Sequence, residues 1–275
     1  MSATIEEQIK GLLKTSTLAQ IRKLYKYRSM QSIELEGIFT KREIYLPRPI
    51  DFNDPFDCRP VPTFHKSRLK RSLYFKELAR RKFPSENKKY LRNRIKEAEN
   101  ILRENPAIIC NAYDDFLRKM GLYCLSEKKD DILMWSHYSD GHKGVCIEFD
   151  AFMDAAFSGT MLFGQALQVN YKDDRPVVNI MEIGTPVEYQ KALLTKPTHW
   201  DYEKEWRIIK NEDEGGPGIH YFQPQILTGV IFGASISTDD KEKLIGWISK
   251  YPTKITLYQA HLNENKYQLD IEPIQ

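Results

Sequence analysis

The sequence predicts an α+β fold with a mixed or antiparallel β core and a basic helical insertion. Residues 24–28 and 145–149 alternate apolar and polar side chains as strands do, whereas 64–120 carries apolar side chains at helical spacing. Strands that are interrupted by helices without regular alternation are typical of α+β proteins. A length of 275 residues is typical of one to two domains, and 41% hydrophobic residues are enough for a sizeable core. We expect one domain over 1–275, with 64–120 as a helical insertion within it.

Several other elements follow from local signals. Thr4 and Glu7 have capping-box spacing ahead of an apolar stripe, which predicts a short helix ending near Leu13. Gly121 is placed to end the last helix of the insertion as a C-terminal cap. The segments 254–262 and 267–271 predict a closing hairpin.

Composition excludes a membrane-spanning class of protein. No apolar run approaches the roughly 20 residues of a transmembrane helix, and the first residues lack the basic and apolar regions of a signal peptide. We therefore expect a cytoplasmic protein without membrane contacts. The four cysteines form no Cys-x-x-Cys pair, which favours free thiols over a zinc or redox site.

Positive charge is concentrated in the insertion. The segment 64–103 contains fourteen Lys or Arg and four Glu, although the whole chain has a formal net charge of only +3. Clustered cations are typical of surfaces that bind phosphate backbones, so nucleic acid is a candidate partner. The alternative is a solvated helical surface, and only a cluster on one helix face would favour binding.

Polar and aromatic side chains crowd the entrance to the predicted strand at 145–149. Trp135, His137 and Tyr138 precede the strand by a few residues, and His142 adjoins it. Such groups cost free energy to bury unless they are paired, and loops at strand ends often carry functional residues. We interpret them as one wall of a site; the alternative is core aromatics and hydrogen-bonded histidines.

Histidines are not expected to form a zinc site. His137 and His142 are five residues apart, a spacing that suits neither a helix face nor a strand face, and His199 is distant in sequence. The prediction therefore includes no metal ligands from these residues.

The strand predicted at 24–28 separates aromatic from cationic side chains. Tyr25 and Tyr27 share one face, and Lys26 and Arg28 share the other. Two cations on one strand face either extend to solvent at an edge or face an anionic ligand.

The turn at 51–58 also has two interpretations. Asn53, Asp54 and Asp57 surround Pro55, and Asn or Asp before proline favours a rigid turn. The same side chains place several hydrogen-bond acceptors at one point, which suits a binding site.

The segment after Asp201 places charges together if it is extended. Glu203, Glu205 and Arg207 would then line one face, with apolar residues on the other. The charged face is a candidate for chemistry; the alternative is an exposed edge strand with an internal ion pair between Glu205 and Arg207.

Four segments together resemble the bacterial domain of unknown function 2971. They are Leu-Tyr-Lys-Tyr-Arg at 24–28, Phe-Asn-Asp-Pro-Phe-Asp at 52–57, Trp-Ser-His-Tyr at 135–138 with Gly-His-Lys-Gly-Val at 141–145, and Tyr-Glu-Lys-Glu-Trp-Arg at 202–207. The resemblance runs from about Leu24 to beyond Trp206. It implies membership of a family suspected of roles in phage defence or as toxins.

The layout is also similar, more remotely, to the ADP-ribosyltransferase-like superfamily. That similarity implies a split sheet, NAD as substrate, and transfer to a macromolecule. It makes Glu205 the carboxylate that engages the nicotinamide ribose and Glu203 the residue that orients or deprotonates the acceptor. The residues expected to hold the nucleotide are Tyr25, Lys26, Arg28, Asn53, Asp54, Trp135, His137, Tyr138 and Arg207.

Two further classes remain open from the residues. A metal-dependent nuclease would hold divalent cations through Asp54, Asp57, Glu203 and Glu205 and bind nucleic acid through the basic segment. A non-catalytic nucleotide-binding or sensor domain would use the same pocket without turnover.

Overall fold

The computed structural model describes residues 23–105, 107–157 and 162–274, so the helix predicted between Thr4 and Leu13 lies outside the described residues. The strands are β1 (Lys23–Arg28), β2 (Glu43–Leu46), β3 (Val61–Thr63), β4 (Gly121–Ser126), β5 (Val145–Asp150), β6 (Leu167–Gln168), β7 (Asn170–Tyr171), β8 (Val177–Asn179), β9 (Thr195–Lys196), β10 (Glu205–Lys210), β11 (Gly218–Tyr221), β12 (Leu227–Phe232), β13 (Thr256–Leu262) and β14 (Leu269–Pro273). The α-helices are α1 (Leu35–Thr40), α2 (Arg68–Lys82), α3 (Lys88–Glu104), α4 (Ala107–Arg118), α5 (Ile132–Tyr138), α6 (Ala151–Phe157), α7 (Pro186–Leu193) and α8 (Thr238–Ile248).

Among the described residues, eight strands form the main sheet, in the order β14-β13-β12-β5-β1-β4-β10-β6. Neighbouring strands are antiparallel except β12 and β13, which are parallel and are connected through α8. Short two-stranded sheets pair β2 with β11, β3 with β8 and β7 with β9. The α+β class, the mostly antiparallel core and the closing hairpin of β13 and β14 are therefore confirmed.

The main sheet is weakly joined between β1 and β4. β1 pairs with β5 along its whole length and β10 pairs with β4 along its whole length, but β1 and β4 pair only at Tyr25 and Ser126. Next to this pair, Lys26 Nζ donates to the carbonyl oxygen of Cys124 at 2.6 Å. A side chain thus bridges the place where backbone bonds stop, and we call this place the split.

Both faces of the sheet around β1 are covered by apolar packing. Leu24, Ile147 and Phe149 point into the largest buried cluster, while Tyr27 and Cys146 point into a cluster on the opposite face. Successive side chains of a strand point to opposite faces of the sheet. The prediction that Tyr25 and Tyr27 lie on one face of β1, opposite Lys26 and Arg28, is therefore confirmed.

The insertion between β3 and β4 is helical, as the apolar spacing predicted. Ser67 caps α2 by accepting from the Lys70 amide, and Asn87 caps α3 by accepting from the Lys89 and Tyr90 amides. In the described ranges, no helix combines the length and apolar character needed to cross a bilayer.

The predicted role of Gly121 is wrong. Gly121 begins β4 and pairs with Lys210, whereas α4 ends at Arg118. A side chain at Gly121 would collide with the carbonyl oxygen of Gly216. The glycine is therefore explained by a close backbone approach, not by a helix end.

The strand predicted after Asp201 begins later than expected. Thr198–Glu203 is a 3-10 helix, and Lys204 has a left-handed backbone with φ of 44° before β10 begins at Glu205. Glu203 therefore does not share a strand face with Glu205 and Arg207, because the left-handed residue redirects the chain. The strand is not an exposed edge either, since β10 lies between β4 and β6.

Candidate functional site

Arg207 lies at the centre of a buried ion-pair network that joins β10 to the turn at 51–58. Its side chain is 0% exposed. The Nη2 atom donates to both carboxylate oxygens of Asp57 at 2.9 and 2.8 Å, Nε donates to Glu205 Oε1 at 2.7 Å, and Nη1 donates to the Leu193 carbonyl oxygen at 2.8 Å. Arg207 is thus an internal counter-ion of the carboxylates, instead of a free cation for a pyrophosphate.

Lys196 of β9 joins the two glutamates that the sequence singled out. Its Nζ lies 2.5 Å from Glu203 Oε2, 3.2 Å from Glu205 Oε2 and 3.6 Å from Asp57 Oδ2. The network therefore combines three carboxylates with two cations. It has one more acidic than basic group, so one carboxylate can take up a proton while each of the two cations still contacts an ionised carboxylate.

The two glutamates have opposite electrostatic surroundings although each residue is only 3% exposed. Burial raises the pKa of Glu203, and the opposing effect of Lys196 does not cancel it. Burial also acts to raise the pKa of Glu205, but Arg207 and Lys196 outweigh it and hold that pKa below its ordinary value. Glu205 therefore stays ionised, whereas Glu203 is the carboxyl group that more readily takes up a proton.

Tyr138 and His137 approach this network from α5. Asp131 caps the helix by accepting from the Leu133 and Met134 amides, which stabilises its first turn. The Tyr138 hydroxyl donates to Glu203 Oε1 at 2.5 Å, and His137 Nδ1 lies 3.0 Å from the Tyr202 hydroxyl. The structure thus places Tyr138 in contact with Glu203, and His137 in contact with Tyr202, the residue before Glu203.

The cations of β1 lie at the split, close to Tyr123. Lys26 Nζ is 4.5 Å from the centre of the Tyr123 ring, and the Arg28 guanidinium carbon is 5.7 Å from it. Burial and the neighbouring Arg28 lower the pKa of Lys26 to about 7. Within the part of the chain that the structure describes, the buried Arg28 Nε and the Tyr123 hydroxyl have no hydrogen-bond partner. Buried donors without partners are costly, so an anion-binding role would account for them.

Two predicted ligand contacts instead belong to the core on the opposite face of β1. Tyr25 donates from its hydroxyl to Glu148 Oε2 at 3.2 Å. Trp135 is fully buried, donates from Nε1 to the Lys129 carbonyl oxygen at 2.9 Å, and lies parallel to His142. Trp135 is thus a core aromatic, which was the alternative interpretation of this residue.

The turn at 51–58 contributes a residue that the sequence ranked too low. Asp54 Oδ1 accepts from the Phe56 amide at 2.9 Å, which is the structural role expected of a turn former, and Asn53 is exposed. Asp57 instead reaches Arg207 and Lys196. From the sequence, Asp57 was expected to act as a turn former, as an acceptor in a binding site or as a metal ligand. No role was predicted for Lys196, because a lysine in a two-residue strand gives no periodic signal.

A basic cleft opens beside the network. It encloses about 330 Å³ of empty space, part of it open to solvent. The charged residues of its lining are Arg59, Lys172, Asp173, Asp174, Arg175, Lys191 and Lys196. Lys196 belongs both to this lining and to the ion-pair network, so the cleft adjoins the network at Lys196.

The donor set does not favour a divalent cation. Among the described residues, no group of three or more His, Cys, Asp or Glu side chains is arranged to hold a metal ion. Asp57, Glu203 and Glu205 are already paired with Lys196 and Arg207, so a metal ion would have to displace ammonium and guanidinium partners. All four cysteines are free, as predicted.

Comparison with known proteins gives one match. A family model described as "Protein of unknown function (DUF2971)" matches residues 134–208. The match extends from α5 to β10 and so includes Tyr138, Lys196, Glu203, Glu205 and Arg207, whereas β1 and the turn at 51–58 lie outside it. No curated protein and no solved structure matches the chain. The chain is thus similar to a family without an assigned reaction over the segment that contains most of the network.

Proposed function

We propose that the protein is an NAD-using, ADP-ribosyltransferase-like enzyme that modifies a macromolecule, in phage defence or as a toxin. The observation that carries the proposal is the opposite shift of two carboxyl groups that share Lys196. Glu203 has a raised pKa and Glu205 a lowered one. Paired carboxyl groups whose surroundings drive their pKa values apart are suited to divide acid–base and electrostatic roles.

Glu205 is suited to hold a fixed negative charge. Arg207 and Lys196 keep it ionised and fix its orientation through three contacts of 2.7 to 3.2 Å. Preorganised negative charge stabilises the positive charge that develops when an N-glycosidic bond breaks. Arg207 acts here as a positioning residue.

Glu203 is suited to move a proton. Its two oxygens contact Tyr138 and Lys196, and its raised pKa brings protonation closer to neutral pH. NAD would supply the ADP-ribosyl group and nicotinamide as the leaving group, and the proton released by the acceptor would pass to Glu203 Oε1. Tyr138 orients that oxygen.

The split supports the choice of a nucleotide. Lys26, Arg28 and the Tyr123 hydroxyl offer donors on one side of the sheet, and the pKa of Lys26 responds to Glu203 and Glu205, so the cations and the acids are electrostatically coupled. Cations beside an aromatic ring suit the phosphates and base of a nucleotide. This is the expected place for NAD.

The test is transfer of label from adenine-labelled NAD into bacterial lysate, with protein and nucleic acid separated. We compare the intact protein with Glu203→Gln, Glu205→Gln and the matched control Glu188→Gln. Glu188 is also buried and paired, with Lys191, but lies outside the network. We expect transfer by the intact protein and the control, and a loss of at least about 100-fold in either network variant.

Folding is checked by circular dichroism, and NAD binding by thermal shift. Transfer that survives Glu203→Gln and Glu205→Gln in folded protein would contradict the roles given to these residues. Absence of both transfer and a thermal shift with NAD would overturn the NAD proposal itself.

A non-catalytic nucleotide sensor is the second candidate, because both glutamates are almost fully buried. That function is favoured if NAD stabilises the intact protein and Glu203→Gln equally and no label is transferred. The metal-dependent nuclease is less well supported, because three of its four carboxylates, those of Asp57, Glu203 and Glu205, are engaged with Lys196 and Arg207.

A further inference from the structure

We propose that one exposed face of α3 binds nucleic acid. Lys88, Lys89, Arg92 and Lys96 are all exposed. Residues four apart are neighbours on a helix surface, so Lys88, Arg92 and Lys96 form a row and Lys89 lies beside it. We call these four residues the basic stripe. The cluster on one face that would favour phosphate binding is therefore present.

The basic stripe is not neutralised by the protein. Across the described ranges, none of its four cations forms an ion pair. The adjacent cation Arg94, in contrast, contacts Glu97 at 2.6 Å and packs over Phe83 on another side of the helix. The nearest acid along the row, Glu99, follows Lys96 by about one turn. Four solvated cations without counter-ions thus face outward together.

Helix stability does not explain the position of these charges. Lys88 and Lys89 occupy the first turn of α3, which contains no acidic residue. The partial positive charge at a helix N-terminus repels cations there and favours acids. Charge placed against this preference is accounted for by an external anion.

A polyanion fits the stripe better than a membrane does. A helix that binds a bilayer surface buries an apolar face in it. The apolar residues Leu91, Ile95 and Leu102 of α3 border the stripe but are already half-buried in the protein, so they do not form a free apolar face for a bilayer. The stripe from Lys88 to Lys96 is about 12 Å long, which matches a few successive phosphates of one strand.

Nucleic acid would also be the acceptor of the proposed transfer, and only this part rests on the proposed function. Binding of nucleic acid by the stripe does not require turnover. If the enzyme transfers ADP-ribose, the stripe makes nucleic acid the acceptor class. The two claims are separated by testing binding without NAD and transfer with NAD.

The binding test uses fluorescence anisotropy of the full chain with a labelled DNA duplex and a labelled single strand over a range of salt. The test variant is Lys88→Gln/Arg92→Gln/Lys96→Gln. The matched control is Lys250→Gln/Lys254→Gln/Lys266→Gln, which removes the same charge from exposed positions elsewhere. We expect the test variant to bind at least about tenfold more weakly, with a slope of log affinity against log salt reduced by about 2 to 3.

Four outcomes decide the inference. Selective loss of affinity and slope in the test variant supports it. Equal losses in both triple variants show a general charge effect and overturn it, as does unchanged affinity in the test variant. Binding to phosphatidylserine vesicles without binding to either oligonucleotide also overturns it. Binding without label transfer leaves the stripe intact and contradicts only the proposed chemistry.

Discussion

The buried network around Arg207 and the basic stripe of α3 use the same side-chain types in opposite ways. In the network, Lys196 and Arg207 are enclosed and each contacts two or more carboxylates. In the stripe, Lys88, Arg92 and Lys96 are exposed and have no acidic partner within the described residues.

Solvent explains this difference. A buried charge loses its hydration and must recover the free energy from opposite charges and hydrogen bonds, whereas an exposed charge keeps its water. Charges of the network therefore contribute to folding and to tuning of pKa values. Charges of the stripe keep their hydration, so we expect their removal to have little effect on folding.

The largest effect on stability is expected from Arg207→Met. This change leaves Asp57 and Glu205 buried with Lys196 as their remaining cation. We expect the free energy of unfolding to fall by about 3 to 5 kcal/mol, measured by urea denaturation. Arg94→Gln, which breaks the exposed pair with Glu97, should cost less than about 0.5 kcal/mol. Similar losses in both variants would contradict the contrast between buried and exposed charge.

An intermediate effect is expected at the two glutamates, and it depends on pH. Glu205 has a lowered pKa in the folded protein, so its ionisation stabilises the fold above its ordinary pKa, and this stability is lost as pH falls. Glu203 has a raised pKa, so its contribution declines as pH rises above its ordinary value. At neutral pH, Glu205→Gln should cost about 2 kcal/mol and Glu203→Gln less than about 1 kcal/mol.

These variants are compared by urea denaturation between acidic and neutral pH. Glu205→Gln should reduce the gain in stability on going to neutral pH, and Glu203→Gln should increase it. Parallel pH profiles for the two variants would show that the glutamates do not differ in the way their surroundings indicate.

The smallest effect is expected from Lys88→Gln and Lys89→Gln. Both remove a cation from the first turn of α3, where the helix dipole opposes it. We expect each change to raise the free energy of unfolding by about 0.3 kcal/mol or leave it unchanged, as measured by thermal and urea denaturation. A loss above about 1 kcal/mol would mean that these lysines have a structural role, and would weaken the case for a binding surface.

Sequence patterns predicted the elements better than their contacts. The alternation in β5, the hairpin of β13 and β14 and the helices of the insertion follow from periods of two and of 3.6 residues. The role of Gly121 was predicted wrongly, because it depends on a close approach to Gly216, which is remote in sequence. Glu203 and Glu205 both contact Lys196, but they do not share a strand face as the alternation predicted, because the left-handed Lys204 lies between them.

The sequence by itself determined the fold class, the basic insertion and the charged residues near Arg207, because these depend on local periodicity and composition. Only the tertiary structure decided that Asp57 and Lys196 complete the network, that Arg207 is enclosed, and that Glu203 and Glu205 differ in pKa. The physical reason is that burial and charge pairing depend on which distant segments meet. Asp57 reaches Arg207 across the fold, and no period in the chain encodes that distance.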